Sequence, residues 1–177
     1  MQFKPRGDVV RANVQDAEGL SEFGARLFRQ TFAEFNSPAT MELYLLQSFH
    51  PMAQRVELAD PERATFLAKS AEGTWLGYLH LRAHRPAPGV AAAAPTELLR
   101  LYVDVTAHGT GVAQALMRTA IQTAREWGAD ALWLGVWERN LRAKAFYARE
   151  GMERVGEKLF DLGGDVQRDE VWMLRLT

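Results

Sequence analysis

Residues 108–113, His-Gly-Thr-Gly-Val-Ala, put two glycines one residue apart just ahead of a stretch with helical periodicity. Glycine enters left-handed backbone without steric cost and leaves the main chain open to close approach. The segment before it, "ELLRLYVDV" at 97–105, is rich in the apolar, aromatic and β-branched residues of a strand. A strand, a glycine turn and a helix N-terminus together form an anion site, because the first helical amides lack intrahelical acceptors and the dipole is positive there. The dipole gives one exposed anion only about 0.3–1 kcal/mol, so a diphosphate that engages several amides at once suits the turn better. Two familiar phosphate loops are excluded. A P-loop needs Lys-Ser/Thr after its last glycine, where Val112 and Ala113 stand. The dinucleotide fingerprint needs a third glycine, where Gln114 stands, and Asp130 precedes the next strand instead of ending it. The competing reading of the two glycines is a tight strand-to-helix turn with no ligand.

Other residues with chemical potential are weaker signals. His80 and His84 have the i, i+4 spacing that suits a metal on a helix, but they fall on a strand and its exit without supporting carboxylates, so no metal is expected. Asp104, Glu138, Asp165 and Asp169 could line an acidic cleft; at 24% charged residues, scattered surface acids are the competing reading. Arg142 and Lys144 could meet a phosphate or simply be solvated, and Trp133, Trp137 and Trp172 could fill core or line a cleft. The absence of cysteine excludes disulfides, thiolate zinc sites and a cysteine nucleophile. A net charge of -1 provides no broad footprint for nucleic acid. "MQFKPRGDVV" lacks the apolar run of a signal peptide. No stretch approaches the ~18 apolar residues of a membrane span, so no membrane association is expected and the expected location is the cytoplasm.

The elements that must position these residues follow from periodicity. Val9–Ala12 reads as a strand, followed by a helix with Asn13 or Asp16 as N-cap and a core-facing stripe of Leu20, Phe23, Leu27 and Thr31, with Phe28, Phe32 and Phe35 beside them. A second helix is expected between Pro38 and Pro51. "ATFLAKS" and "TWLGYLHLRA" read as strands around an "AEG" turn, and "HRPAPGVAAAAP" at 84–95 as a mobile surface connection. Residues 97–105 form a strand, 111–127 a helix, and the nearly all-apolar 131–136 a strand buried on both faces. Residues 140–150 form a helix capped by Asn140 and stopped by Gly151, and two antiparallel strands around "GGDVQ" close the chain. The order β-α-α-β-β-β-α-β-α-β-β in 177 residues, without a repeat or linker, indicates one α+β (mixed α/β) domain over residues 1–177.

On these residues the chain resembles the GNAT superfamily of acyl-CoA-dependent N-acetyltransferases, whose signature R/Q-x-x-G-x-G/A is met here by His108-Gly109-Thr110-Gly111-Val112-Ala113, with His108 in place of Arg or Gln. A second family pattern, Asn-x-x-Ala-x-x-Phe/Leu-Tyr-x-x-x-Gly-Phe, is met by Asn140, Ala143, Phe146, Tyr147 and Gly151, with Met152 for the final Phe. From about Glu97 to Met173 the sequence is similar to PaiA-type polyamine acetyltransferases. The resemblance implies a single domain whose mixed, mostly antiparallel sheet has about six or seven strands and helices on both faces. It also implies a fourth and fifth strand that splay apart around the pantetheine of acetyl-CoA.

Carried residue by residue, the resemblance implies that the backbone of Leu101, Tyr102 and Val103 pairs with the pantetheine and that Asn140 contacts it. The amides of Gly109, Thr110, Gly111, Val112 and Ala113 receive the diphosphate; His108, Ala143 and Phe146 complete the expected cosubstrate contacts. Glu97, at the start of the splayed strand, is the expected base, acting through water, and Tyr147 the expected acid toward the leaving thiolate. A solvent-facing acid and a packed tyrosine are the respective alternatives. The implied reaction moves acetyl from acetyl-CoA, without metal, to a primary amine, with a polyamine such as spermidine as the leading acceptor. Another small amine, an amino acid or a protein N-terminus remain open, as does a non-catalytic acyl-CoA sensor. A last strand exposed at the sheet edge would allow a homodimer.

Overall fold

A computed structural model describes residues 7–176; residues 1–6, which include most of the segment read for a signal peptide, and residue 177 lie outside the described residues. The chain runs β1 (Asp8–Arg11), α1 (Ala17–Phe32), α2 (Pro38–Phe49), α3 (Pro51–Ala59), β2 (Arg63–Lys69), β3 (Trp75–Arg82) and β4 (Pro95–Val103). It continues through α4 (Val112–Glu126), β5 (Ala131–Trp137), α5 (Leu141–Arg149), β6 (Glu153–Leu162) and β7 (Asp165–Arg175). The strands form one seven-stranded sheet in the order β1-β2-β3-β4-β5-β7-β6, in which only β4 and β5 run parallel. This is the mixed, mostly antiparallel sheet expected from the sequence.

Alternation along the strands explains the two layers. Leu132, Leu134 and Val136 of β5 join Leu116, Met117 and Ala120 of α4 and Tyr147 of α5 in one core. On the opposite face Leu20, Leu27 and Phe28 of α1 and Met41, Leu45 and Phe49 of α2 close over Leu67 and Tyr78. Among the described residues no helix is long and apolar enough to cross a membrane.

Three features differ from the sequence-based expectation. The second helix is followed by a third: Pro51 cannot extend α2, but as the first residue of α3 its fixed φ suits a helix start, and the His50 ring accepts the Met52 amide at 3.1 Å. The 84–95 connection, expected to be mobile, is tied down. Asp130 accepts the amides of Ala93 and Ala94 at 2.7 and 2.9 Å, the Trp133 indole donates to the Arg85 carbonyl at 2.6 Å, and Ala87, Val90 and Ala92 pack around the Trp133 cluster. Finally, β7 lies between β5 and β6, so the last strand is interior and the sheet edges belong to β1 and β6.

Candidate active site

β4 and β5 pair only at Pro95–Ala131, Thr96–Leu132 and Glu97–Trp133. Beyond that point the strands part, and the facing main-chain edges of Leu98–Val103 and Leu134–Trp137 have no ladder partner in each other. The cause lies in what flanks them. β4 carries a bulge where the register slips opposite His80/Leu81, and bulges turn a strand away from its neighbour. β5 meanwhile keeps a full antiparallel ladder with β7. A cleft of about 750 Å³ opens at the parting and is lined by β4, the 108–114 turn, α5, the C-terminal half of α1 and residues of β6 and β7.

At one mouth of the cleft lies the glycine turn. Gly109 and Gly111 have φ of +76° and +88°, the left-handed region that other residues enter only with strain. Gly111 is the N-cap of α4, where no side chain caps the helix. The amides of Gly109, Gly111, Val112, Ala113 and Gln114 have no acceptor among the described residues; that of Thr110 reaches the Ala107 carbonyl at 3.4 Å. A Cβ at Gly109 or Gly111 would meet no atom within 4 Å, so the glycines are required by backbone conformation, and the space in front of them is open. His108 turns inward: its Nε2 bonds the Val103 carbonyl at 3.0 Å, which occupies one acceptor of the edge expected to pair with a ligand.

The second motif sits across the cleft on α5. Asn140 caps that helix by accepting the Ala143 amide at 3.2 Å, and Ala143, Phe146 and Tyr147 pack into the α4-side core. Tyr147 is buried, its hydroxyl makes no hydrogen bond among the described residues, and burial raises its pKa well above that of a free phenol. Lys144 is held by Glu170 at 3.1 Å and the Glu138 carbonyl at 2.7 Å, whereas Arg142 lines the cleft.

Glu97 stands at the last position of β4 that pairs with β5 and lines the cleft, buried, with Oε2 accepting from the Arg82 guanidinium at 2.8 Å from Nε and again from Nη2. Of the four other acids singled out from the sequence, Asp169 alone lines the cleft. Asp104 caps the turn at Val105–Ala107 and pairs with Arg26, while Glu138 and Asp165 are exposed. His80 is buried, with Nδ1 2.7 Å from the Thr65 hydroxyl, and no metal-binding group of His, Cys, Asp and Glu occurs among the described residues. The sequence reading offered Trp137 as a residue that could line a cleft but missed the rest of the aromatic wall opposite α5. Phe32 and Phe35, read as part of a core stripe, reach the cleft with Tyr44, Trp137 and Phe160. Phe160's place on an alternating strand was the available signal.

Residues 26–152 match the model of the Acetyltransferase (GNAT) family. An uncharacterized N-acetyltransferase of Lactobacillus delbrueckii subsp. lactis is 31% identical over 161 residues, covering 91% of this chain and 92% of that protein. One of Mycobacterium bovis is 32% identical over 162 residues, covering 92% and 99%. Among solved structures, a PaiA N-acetyltransferase from Thermoplasma acidophilum in complex with coenzyme A superposes with a TM-score of 0.73 at 20% identity, over 95% of this chain and 98% of that one. That likeness speaks to the fold. The splayed strands, the glycine-opened helix start and the sequence match converge on one conclusion: the chain is an N-acetyltransferase and belongs to the GNAT family.

Proposed function

We propose that the protein transfers the acetyl group of acetyl-CoA to a primary amine by direct attack within a ternary complex, acting in the cytoplasm. The observation that carries this is the set of five unpartnered amides, Gly109 and Gly111–Gln114, at the start of α4 beside two unpaired strand edges. Diphosphate on the amides and pantetheine along the β4 edge at Leu101–Val103 would use both features, and Asn140, Ala143 and Phe146 lie along the opposite wall.

Direct attack needs an uncharged nitrogen. An alkylamine with a lysine-like pKa of ~10.4 is about 99.9% protonated at pH 7, so the neutral form costs roughly 4–5 kcal/mol. A carboxylate in the cleft must therefore help, and Glu97, the base implied by the resemblance, has its carboxylate committed to Arg82. Tyr147 serves the other end of the reaction. Burial makes it a weaker acid than a thiol, so its role is that of a neutral hydroxyl donating to charge that develops on the departing sulfur.

Tyr147→Phe is expected to lower kcat by about 10²-fold while leaving the acetyl-CoA Kd unchanged, checked by thiol release and calorimetry. Equal turnover by the variant would favour a packing role. A non-catalytic acyl-CoA sensor would bind acetyl-CoA and release no thiol whichever amine is supplied. The resemblance of residues 97–173 to PaiA-type polyamine acetyltransferases, read from the sequence, places a polyamine such as spermidine among the acceptors to be tested.

A further inference from the structure

The half of the cleft on the α1–α2 side of the sheet is built from rings. Phe35 and Phe32 stand against Trp137 with centroids 5.1 and 6.1 Å apart, Phe32 against Tyr102 at 6.4 Å, and Tyr44 against Phe160 at 5.5 Å. Two cations also border this half. Lys158 Nζ lies 5.9 Å from the ring centroids of both Trp133 and Phe160, and Arg100 is buried in a bidentate pair with Glu57. Such walls suit an apolar body better than a polycation: the further charges would meet rings and the Lys158 ammonium, and Glu97 is already bonded to Arg82.

Among the described residues three carboxylates line the cleft: Glu34 is exposed, Glu97 is bonded to Arg82, and Asp169 differs from both. It is 8% exposed, lines the cleft, and makes no hydrogen bond or salt bridge among the described residues. It sits on β7, next to the edge strand, opposite Trp137 on β5 and Lys158 on β6. Gly135 makes room for both side chains: a Cβ there would stand 3.1 Å from Asp169 Oδ2, 2.5 Å from Lys158 Cε and 3.3 Å from Lys158 Nζ. A buried carboxylate without a partner is costly to the fold, and its opening into a cleft lets a ligand supply what the protein does not.

We propose, building on the acetyl-transfer reading above, that the acceptor is a primary amine carried on an apolar, ring-bearing body, and that Asp169 receives its ammonium group and takes one of its protons. The freed nitrogen lone pair forms the N–C bond to the acetyl carbonyl as the C–S bond breaks. The second nitrogen proton passes to the leaving thiolate, and Asp169 returns its own to water. Burial pushes Asp169 up to about 6, with Lys158 opposing the rise, which leaves it ionised at neutral pH yet close to the range where a general base is most effective. The titratable and charged groups facing it are Lys158 from β6 and Tyr44 from α2; β5 offers Trp137 and Gly135, which carry no charge.

The test compares wild type and Asp169→Asn with 2-phenylethylamine and spermidine, following thiol release against pH alongside acetyl-CoA calorimetry. Wild type is expected to use phenylethylamine at least ~10-fold more efficiently than spermidine, with kcat/KM falling below about pH 6. Asp169→Asn is expected to lose about 10²–10³-fold in kcat/KM and the limb near 6, its residual rate climbing toward the amine's own pKa, with acetyl-CoA affinity unchanged. The variant should also melt higher at pH 8. Asp169's raised pKa means that its own contribution to stability is fully present below about pH 4 and is lost as pH rises through about 6, a loss that the neutral amide avoids. Preference for spermidine, or a variant within threefold of wild type that keeps the acid limb, overturns the proposal. Acetyl-CoA binding without turnover of a ring-bearing amine overturns it alone; failure of acetyl-CoA to bind overturns the acetyl-transfer reading as well.

Discussion

Gly111→Val is expected to weaken acetyl-CoA binding by at least ~100-fold while costing the fold only about 1–2 kcal/mol. The small number comes from backbone: at φ +88° any side chain is strained, a β-branched one most. The large number comes from place. A Cβ at this position meets no protein atom within 4 Å, so the fold has room for it, and the room it takes is the opening onto which the free amides face. Gly128 provides the control. It has φ +74° and equally open surroundings, but lies past the C-terminal end of α4. Gly128→Val should cost similar stability and leave acetyl-CoA affinity unaltered. Calorimetry and a urea melt on both variants check this pair; equal affinity losses would mean that the Gly111 effect is mere destabilisation.

Glu57→Ala is expected to destabilise the protein by about 3–5 kcal/mol, read as a large fall in the urea midpoint. Arg100 is 8% exposed and takes both of its strong contacts, 2.6 and 3.1 Å, from this one carboxylate. Removing Glu57 leaves a buried guanidinium beside Tyr78 and His80, both with a polar atom that lacks a hydrogen-bond partner, and near Arg63, whose 3.7 Å approach to Glu57 is lost as well. The exposed pair Arg55–Glu18, at 2.9 Å, makes the contrast: Glu18→Ala should leave the midpoint nearly unchanged. A small effect at Glu57 would show that α3 relaxes enough to hydrate Arg100.

The features legible in the sequence were those encoded within a few neighbouring residues. The turn at Gly109 and Gly111 declares its backbone by residue type, Asn140 caps α5 by its own side chain, and the apolar run 131–136 foretells a strand covered on both faces. α3 was lost because Pro51 reads equally as a stop and as a start. The 84–95 connection looked mobile because its anchors, Asp130 and Trp133, lie some forty residues on. The carboxylates show the same limit more sharply. Glu97 and Asp169 cannot be ranked from sequence, since what separates them is register: Glu97 falls opposite Arg82 across β3 and β4, whereas Asp169 falls opposite a tryptophan and a lysine that does not reach it. The interior position of β7, which removes the expected pairing edge, is likewise a matter of strand order.

Acetyl transfer by this cleft requires that main-chain donors at the start of α4 hold the diphosphate of acetyl-CoA. Amide chemical-shift titration of the labelled protein with coenzyme A tests that claim most directly. The expected result is saturable movement of the Gly109, Gly111, Val112, Ala113 and Gln114 amide resonances, with smaller shifts along Leu101–Val103. Saturation that leaves those five amides in place while others move would contradict it.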